Sequence, residues 1–237
     1  MSALSTHFNR HRLLHFSLVI LFSPLTWGET RTFTDTRGRT MTVELIHATG
    51  TTMIVKLHDG QEAEVLLSKL SKDDQLFVEK WAESHPKEIA AQIEKRENAK
   101  RSAEIPKKIV AFCKANLRKQ VGNGECWTLA NEAFKACGLR RPGSDLRVWG
   151  RLIDLETEDL EAGDIVEYQK VGFADGSRTG PFHTSVVVKG GTRGKAIIAE
   201  QNWGQKTVRE SPFDINDVVS GKIMVYRPDY SQKPRQN

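Results

Sequence analysis

Hydrophobic and polar residues alternate with a period of two along the first third of the chain. Segments 31–35, 40–46, 52–57 and 62–67 show this period, which is typical of strands with one buried face. An Asp-Gly pair between the last two segments favours a tight hairpin turn. The pattern therefore predicts a small β unit, which is closed by a short capped helix that ends around Trp81.

Residues 82–104 have a different composition, rich in Lys, Glu, Ala and Arg and poor in large apolar side chains. Such a segment predicts a solvated helical linker. We therefore divide the chain into a β module (29–81), a linker (82–104), a second domain (105–230) and a tail (231–237).

The second domain begins with apolar residues at helical spacing from Ile105 to Leu117. A glycine-containing turn at 121–125 then leads into a predicted helix at 126–136. Strand-like segments follow at 164–169, 184–189, 195–202 and 223–227. This order of elements predicts an α+β domain.

The amino terminus has the pattern of a secretory signal peptide. Two arginines precede an apolar run at 13–25. Small residues then occupy positions −3 and −1 of a predicted cleavage site after Gly28. The run is too short to cross a bilayer, although an uncleaved membrane anchor is the alternative. The pattern predicts a secreted or periplasmic protein with no integral membrane span after removal of the signal.

Charge and composition exclude several kinds of partner. The net charge is +5 and the sequence pI about 9.1, but both signs are interleaved, without a dense Lys/Arg block or an aromatic platform between basic residues. No nucleic-acid partner is therefore expected. The sequence also has no His-Glu-x-x-His, no Cys-x-x-Cys and no phosphate-binding glycine loop, so we expect no metal or organic cofactor.

The three cysteines are Cys113, Cys126 and Cys137. An odd number leaves at least one thiol unpaired within the chain, or implies an intermolecular disulfide. Cys113 and Cys137 could pair with each other or could be buried as small hydrophobic residues. We favour burial, although sequence alone does not decide connectivity.

Cys126 is the candidate nucleophile because it lies where the glycine-containing turn becomes a helix. Unpaired N–H groups and the helix dipole stabilise a thiolate there, and the same N–H groups can stabilise an oxyanion. An inert helix cysteine is the alternative.

His183 opens a valine-rich strand and is the candidate acid–base group. Glu200 and Asn202, two residues apart, are predicted to share one strand face, where either could orient the imidazole.

These residues carry a family resemblance. Residues 105–228 resemble the CHAP amidase/peptidase family, which is papain-like and related to NlpC/P60. The resemblance rests on Gly124-Glu125-Cys126, on the histidine and its strand, and on Glu200-Gln201-Asn202-Trp203. It implies a papain-like α+β fold, hydrolysis of an amide bond, often in peptidoglycan, and oxyanion binding by Gln120. One departure is Thr184, since the family usually has an apolar residue directly after its histidine.

Residues 31–81 resemble the SHD-type β domain. The matching features include Phe33-Thr34-Asp35, Gly38-Arg39-Thr40 and Leu67-Ser68-Lys69-Leu70-Ser71. The resemblance implies a small SH3-like barrel that binds a protein partner and is not itself a catalyst.

The combined expectation is an exported cysteine hydrolase that cleaves an amide bond, in peptidoglycan or a cell-envelope peptide, through Cys126 and His183. One alternative is a two-module binding protein that retains the fold without turnover. Another is an acyltransferase that uses the same residues. The scissile bond and the oligomeric state are open at this stage.

Overall fold

The structure is a computed structural model that describes residues 29–232. The predicted signal peptide and the end of the predicted tail lie outside the described residues. The chain divides after Ala90 into two compact units. Within residues 29–232, no helix is both long and apolar enough to cross a membrane.

The first unit, in its described part, is an antiparallel sheet followed by a helix. Its elements are β1 (Glu29–Thr34), β2 (Thr40–Ala48), β3 (Thr52–Lys56), β4 (Glu62–Leu66) and α1 (Lys72–Ser84). The strands pair in the order β1-β2-β3-β4. Alternation places Phe33, Leu45 and Val55 on the inner face, where they are fully buried, and Trp81 of α1 joins the same core.

The predicted SH3-like barrel is not shown by this unit. Each strand forms a ladder with its sequence neighbours, and β1 and β4 are the two edges of an open sheet. A single bridge between Asp35 and Leu70 links the end of β1 to the segment after β4. Closure of a barrel requires a ladder between the first and last strands, and this unit has one bridge in that place.

Asp74 ties the start of α1 to β1. Ser71 caps the helix by accepting a hydrogen bond from the backbone N–H of Asp74 at 3.2 Å. The buried Asp74 carboxylate accepts hydrogen bonds from the N–H of Thr34 at 2.7 Å and from Ser71 Oγ at 3.0 Å, and it pairs with Arg31 at 3.2 Å. Burial alone would raise the pKa of Asp74, but these partners lower it below its ordinary value.

We expect Asp74→Asn to destabilise the first unit by about 1–2 kcal/mol at neutral pH, because a charged hydrogen-bond acceptor is lost. Since the folded-state pKa is depressed, this contribution is present above the unfolded pKa and is lost as the pH falls through the folded one. Hydrogen exchange at the Thr34 amide and the first turn of α1 measures the effect. Asp73→Asn, at the exposed neighbouring position, is the matched control. Equal exchange in the two variants would contradict the assignment.

The second unit is an α+β domain, as predicted. Its elements are α2 (Pro86–Ala115, which begins in the first unit), α3 (Cys126–Ala136), β5 (Arg151–Leu152), β6 (Ile165–Phe173), β7 (Phe182–Lys189), β8 (Lys195–Glu200), β9 (Arg209–Asp214) and β10 (Val218–Arg227). The antiparallel sheet has the order β5-β10-β6-β7-β8-β9. α3 packs against β7, which lies inside the sheet, and Leu129 and Val186 are fully buried in the core between helices and sheet. This packing brings the helix start and the central strands together.

Several parts of this sheet differ from the sequence prediction: β5 was not predicted, β10 begins at Val218 rather than at residue 223, and β8 ends at Glu200 rather than at residue 202. β6 and β7 extend further into the segment between them, which forms their hairpin connection. β9 was not predicted, because its residues are mostly polar and include Pro212. Proline removes a hydrogen-bond donor and is tolerated at a sheet edge, which is where β9 lies.

Candidate active site

The loop before α3 places Cys126 as the first residue of that helix. No side chain caps this end, so the first-turn N–H groups are not covered by the N-cap residue Glu125. Gly124 has φ +83°, and a Cβ there would lie 3.0 Å from Lys206 and 3.1 Å from Gln120 side-chain atoms. Glycine is therefore needed for both the left-handed backbone and the close approach.

Gln201 holds this loop from the neighbouring sheet. Its side chain is fully buried, and its Nε2 lies 2.7 Å from the Glu125 carbonyl oxygen, 3.0 Å from that of Val121 and 2.7 Å from Thr128 Oγ1. Its Oε1 accepts a hydrogen bond from the N–H of Val121 at 3.1 Å. The nitrogen and the oxygen of this one amide group thus fix the turn that carries Cys126.

Gln201 was missed as a functional candidate in the sequence. Strand alternation favoured Glu200 and Asn202 as polar groups of the site. Gln201 lies between them, directly after the end of β8, and is buried. A usable signal existed: a glutamine that alternation places on a buried face must find hydrogen-bond partners there.

His183 and Glu200 form a buried pair beside Cys126. His183 Nε2 lies 2.7 Å from Glu200 Oε2, and both side chains are about 95% buried. His183 also lies near enough to Cys126 for each to shift the pKa of the other. Because Nε2 is engaged by Glu200, Nδ1 is the ring atom left for the sulfur. This is the order of nucleophile, base and orienting group that acyl-transfer enzymes use.

Glu200 is itself held by β9. Its Oε1 accepts hydrogen bonds from Ser211 Oγ at 2.8 Å and from Arg209 at 2.9 and 3.1 Å. Burial alone would raise the pKa of Glu200, but the hydrogen bond and charge of His183, with Ser211 and Arg209, lower it. The carboxylate is therefore ionised and fixed in orientation.

The protonation states of Cys126 and His183 favour an ion pair. Burial alone would raise the pKa of Cys126, but the hydrogen bond and charge of His183, together with hydrogen bonds from Thr184, lower it below its ordinary value. Burial alone would lower the pKa of His183, but hydrogen bonds to Cys126 and Glu200 and their charges raise it to about 9. The lowered pKa of the thiol and the raised pKa of the imidazole both favour a thiolate beside an imidazolium.

Asn202 does not share the position of Glu200. β8 ends at Glu200, and Asn202 adopts a left-handed backbone with φ +65°. The alternation that placed the two side chains on one face is broken there. Asn202 Nδ2 instead donates to Glu125 Oε2 at 3.0 Å, at the exposed rim of the nucleophile loop. The expectation that Asn202 orients His183 is corrected accordingly.

Gln120 lies close to the nucleophile loop. Its side chain is exposed, and its Nε2 is 3.4 Å from the carbonyl oxygen of Gly122. Since it also lies beside Gly124, it is near the helix start where an oxyanion would form. Its role in binding an oxyanion stays a prediction.

Aromatic rings cover the imidazole and line an adjacent pocket. The ring centroid of Trp203 lies 5.1 Å from that of His183 at 72°, and Tyr168 lies 5.4 Å away. These rings limit water access to the hydrogen bond between His183 and Glu200. A pocket of about 690 Å³ adjoins the pair, lined by Tyr168, Phe173, Glu200, Trp203, Arg209 and Phe213 among others.

The other two cysteines differ from Cys126. Cys113 and Cys137 are free thiols, so the predicted choice between pairing and burial is resolved as unpaired in this structure. Burial raises the pKa of Cys113 to about 12, with a contribution from Cys137, and burial also raises the pKa of Cys137. Among residues 29–232, no group of His, Cys, Asp and Glu side chains is arranged to hold a metal ion.

Comparison with known proteins identifies the family. Residues 82–232, well over half of the chain, match the model of the AIM3/BBC1 cysteine proteinase-fold domain. The chain belongs to this family. The match confirms a papain-like cysteine-proteinase fold for the second unit, which is the coarser part of the resemblance described above. No solved structure matches the chain.

One relative of this chain is the "Altered inheritance of mitochondria protein 3" of Debaryomyces hansenii. It is 31% identical over 143 residues, which cover 51% of this chain and 15% of the relative. The chain therefore matches less than a fifth of the length of this relative. The mitochondrial inheritance in this name refers to the relative.

These matches correct several expectations. The assignment to CHAP was wrong in its detail, because the matching model is that of the AIM3/BBC1 domain. The predicted exported peptidoglycan hydrolase, its peptidoglycan substrate and its secreted or periplasmic location are contradicted, because the matched relative is a Debaryomyces hansenii protein named for mitochondrial inheritance. The family model begins at residue 82, so the SHD-type resemblance of residues 29–81 stays a prediction.

Proposed function

We propose that the second unit is a cysteine-dependent acyl-transfer centre, in which Cys126 forms a thioester with the acyl group of a carbonyl substrate. The observation that carries the proposal is the buried chain of contacts from Cys126 through His183 to Glu200. A lowered thiol pKa beside a raised imidazole pKa is the arrangement that makes a cysteine nucleophilic at neutral pH.

The proposed reaction has two steps. The thiolate of Cys126 attacks the carbonyl carbon, a C–S bond forms, and His183 gives its Nδ1 proton to the leaving group as the bond to that group breaks. In the second step an incoming hydroxyl, amine or water gives a proton to His183 and attacks the thioester, which releases the sulfur. Glu200 keeps the imidazole oriented and stabilises its charged form in both steps.

The start of α3 supports stabilisation of the oxyanion. Its first turn has no side-chain cap, and Cys126 is its first residue. Backbone donors at a helix start are suited to a developing negative charge. We assign the Cys126 N–H as one donor and the Gln120 amide as the second, since Gln120 lies beside the same loop.

The experiment uses the full chain and its own cysteines as controls. We expect iodoacetamide at pH 6 to label Cys126 at least about tenfold faster than Cys137, because only Cys126 has a lowered pKa. Peptide mass spectrometry measures each site. 4-Nitrophenyl acetate should then add one acetyl group to Cys126, and Cys126→Ser should lack a hydroxylamine-sensitive adduct.

Two outcomes would contradict the proposal. Labelling of Cys126 with the pH dependence of an ordinary thiol would remove the ion pair. Normal labelling without any acetyl transfer would indicate a reactive cysteine that does not accept acyl groups, and a binding role for the domain would then replace the catalytic one.

A further inference from the structure

A second buried carboxyl group lies next to the site and has no part in the mechanism above. Glu167 on β6 is opposite Thr184 on β7 in the strand register, and both are at least 97% buried. Glu167 Oε1 accepts hydrogen bonds from Trp149 Nε1 at 2.6 Å and from Thr184 Oγ1 at 2.8 Å. A carboxyl group in a sheet interior is costly unless such partners compensate it. A buried carboxyl group at this cost, beside the site, suggests that Glu167 has a role there.

Thr184 connects this carboxyl group to the pair of Cys126 and His183. It directly follows His183 on β7, and the backbone N–H of Thr184 is among the groups that lower the pKa of Cys126. The hydroxyl proton is donated to Glu167, which fixes the side-chain rotamer and the backbone position of Thr184. An apolar residue at position 184 would lose this connection. The polar residue at this position therefore has a structural explanation.

Glu167 also acts on His183 through its charge. Burial raises the pKa of Glu167 above its ordinary value, although the hydrogen bonds from Trp149 and Thr184 and the charge of His183 oppose this rise. By reciprocity, an ionised Glu167 favours the charged form of His183. Its other titratable and charged neighbours, on the loop before β5, on β6 and on β10, are Arg141, Arg147, Tyr168 and Tyr226.

We propose that Glu167 and Thr184 are positioning residues that hold the Cys126 thiolate and favour the charged form of His183, in addition to the action of Glu200. This inference rests on the proposed function, because it concerns the same ion pair. Glu167 acts through Thr184 and through its charge, and it does not contact the substrate. The consequence is that the ion pair depends on two buried carboxylates, one on β8 and one on β6.

The charge is tested with Glu167→Gln in the full chain. Glutamine has nearly the same shape and keeps an oxygen that can accept both hydrogen bonds, so only the charge is lost. We expect the titration of His183 to move down from about 9. A shift of about 0.5 pH unit or more, measured by NMR of the imidazole ring, is expected. His183→Ala assigns the resonance, and Glu156→Gln, at an exposed position in the same unit, is the charge control.

The hydroxyl is tested with Thr184→Val, which has the same shape. We expect iodoacetamide labelling of Cys126 at pH 6 to fall about threefold to tenfold, and Thr184→Ser to restore it, because serine keeps the donor. A purely structural role would lower the melting temperature without moving the pH profile of labelling. The pH profile is therefore the deciding measurement.

The two proposals fail in different ways. If wild-type Cys126 shows its lowered pKa but the Glu167→Gln and Thr184→Val profiles match the wild type, the positioning role is wrong and the acyl-transfer proposal stands. If wild-type Cys126 itself titrates as an ordinary thiol, both proposals are wrong.

Discussion

Replacing His183 with alanine is expected to abolish the reactivity of Cys126 near neutral pH. Burial of Cys126 raises its pKa, and His183 is the largest of the influences that lower it. Without the imidazolium, the desolvation of the sulfur is left opposed only by Thr184. The pKa then rises to or above the ordinary value of roughly 8.5 for a free thiol. At pH 6 each unit by which the pKa rises lowers the fraction of thiolate about tenfold, so labelling should fall by at least about tenfold.

The measurement is the rate of iodoacetamide labelling of Cys126 from about pH 4 to pH 10, read out by peptide mass spectrometry. His58→Ala is the control, since His58 is exposed and lies in the first unit. The sign of the pH effect is fixed by the raised pKa of His183: the imidazolium is present below about 9 and is lost above it. Unchanged labelling in His183→Ala would show that the thiolate does not depend on the ion pair.

The largest effect on stability is expected from Gln201→Leu. Leucine fills a similar volume but leaves the Val121 N–H without its acceptor in a buried place, while the carbonyl oxygens of Val121 and Glu125 lose one donor and keep Thr128 Oγ1. A buried group left without a hydrogen bond costs about 1–3 kcal/mol, so we expect a loss of about 2–3 kcal/mol. The nucleophile turn should also shift, so that labelling of Cys126 at pH 6 falls.

Denaturant unfolding of the full chain, followed by tryptophan fluorescence, measures this loss. Gln205→Leu is the matched control, because Gln205 is an exposed glutamine four residues further along the chain. We expect that control to change stability by less than about 1 kcal/mol. If the two variants unfold at the same denaturant concentration, Gln201 does not hold the loop.

The positions of Cys126 and His183 were readable from local sequence. A glycine turn before a helix is encoded by neighbouring residues, and so is a histidine at the start of an apolar strand. The structure has both features and brings the two residues near enough for each to shift the pKa of the other. The location and substrate expected from the amino-terminal pattern and the family resemblance were contradicted by the relatives.

Asn202 and β9 show where local reasoning stopped. Strand alternation predicted that Asn202 would accompany Glu200, but the left-handed backbone at Asn202 ends the strand first. β9 has no clear alternation, and it is a strand because it pairs with the edge of β8. Its residues Arg209 and Ser211 donate hydrogen bonds to Glu200. The local sequence could not predict this part of the site, because it depends on the pairing of β8 with β9.

Local periodicity and turn chemistry in this chain were enough for the α+β class, for most elements, and for the choice of a candidate nucleophile and a candidate base, because each depends on residues within a few positions of one another. The tertiary structure was required for the open first sheet, for the clamp from Gln201 to Val121, and for the pair of Glu167 with Thr184. The last two of these contacts join residues 80 and 17 positions apart in the chain. Such contacts form only when strand register and helix packing place the partners within hydrogen-bond distance.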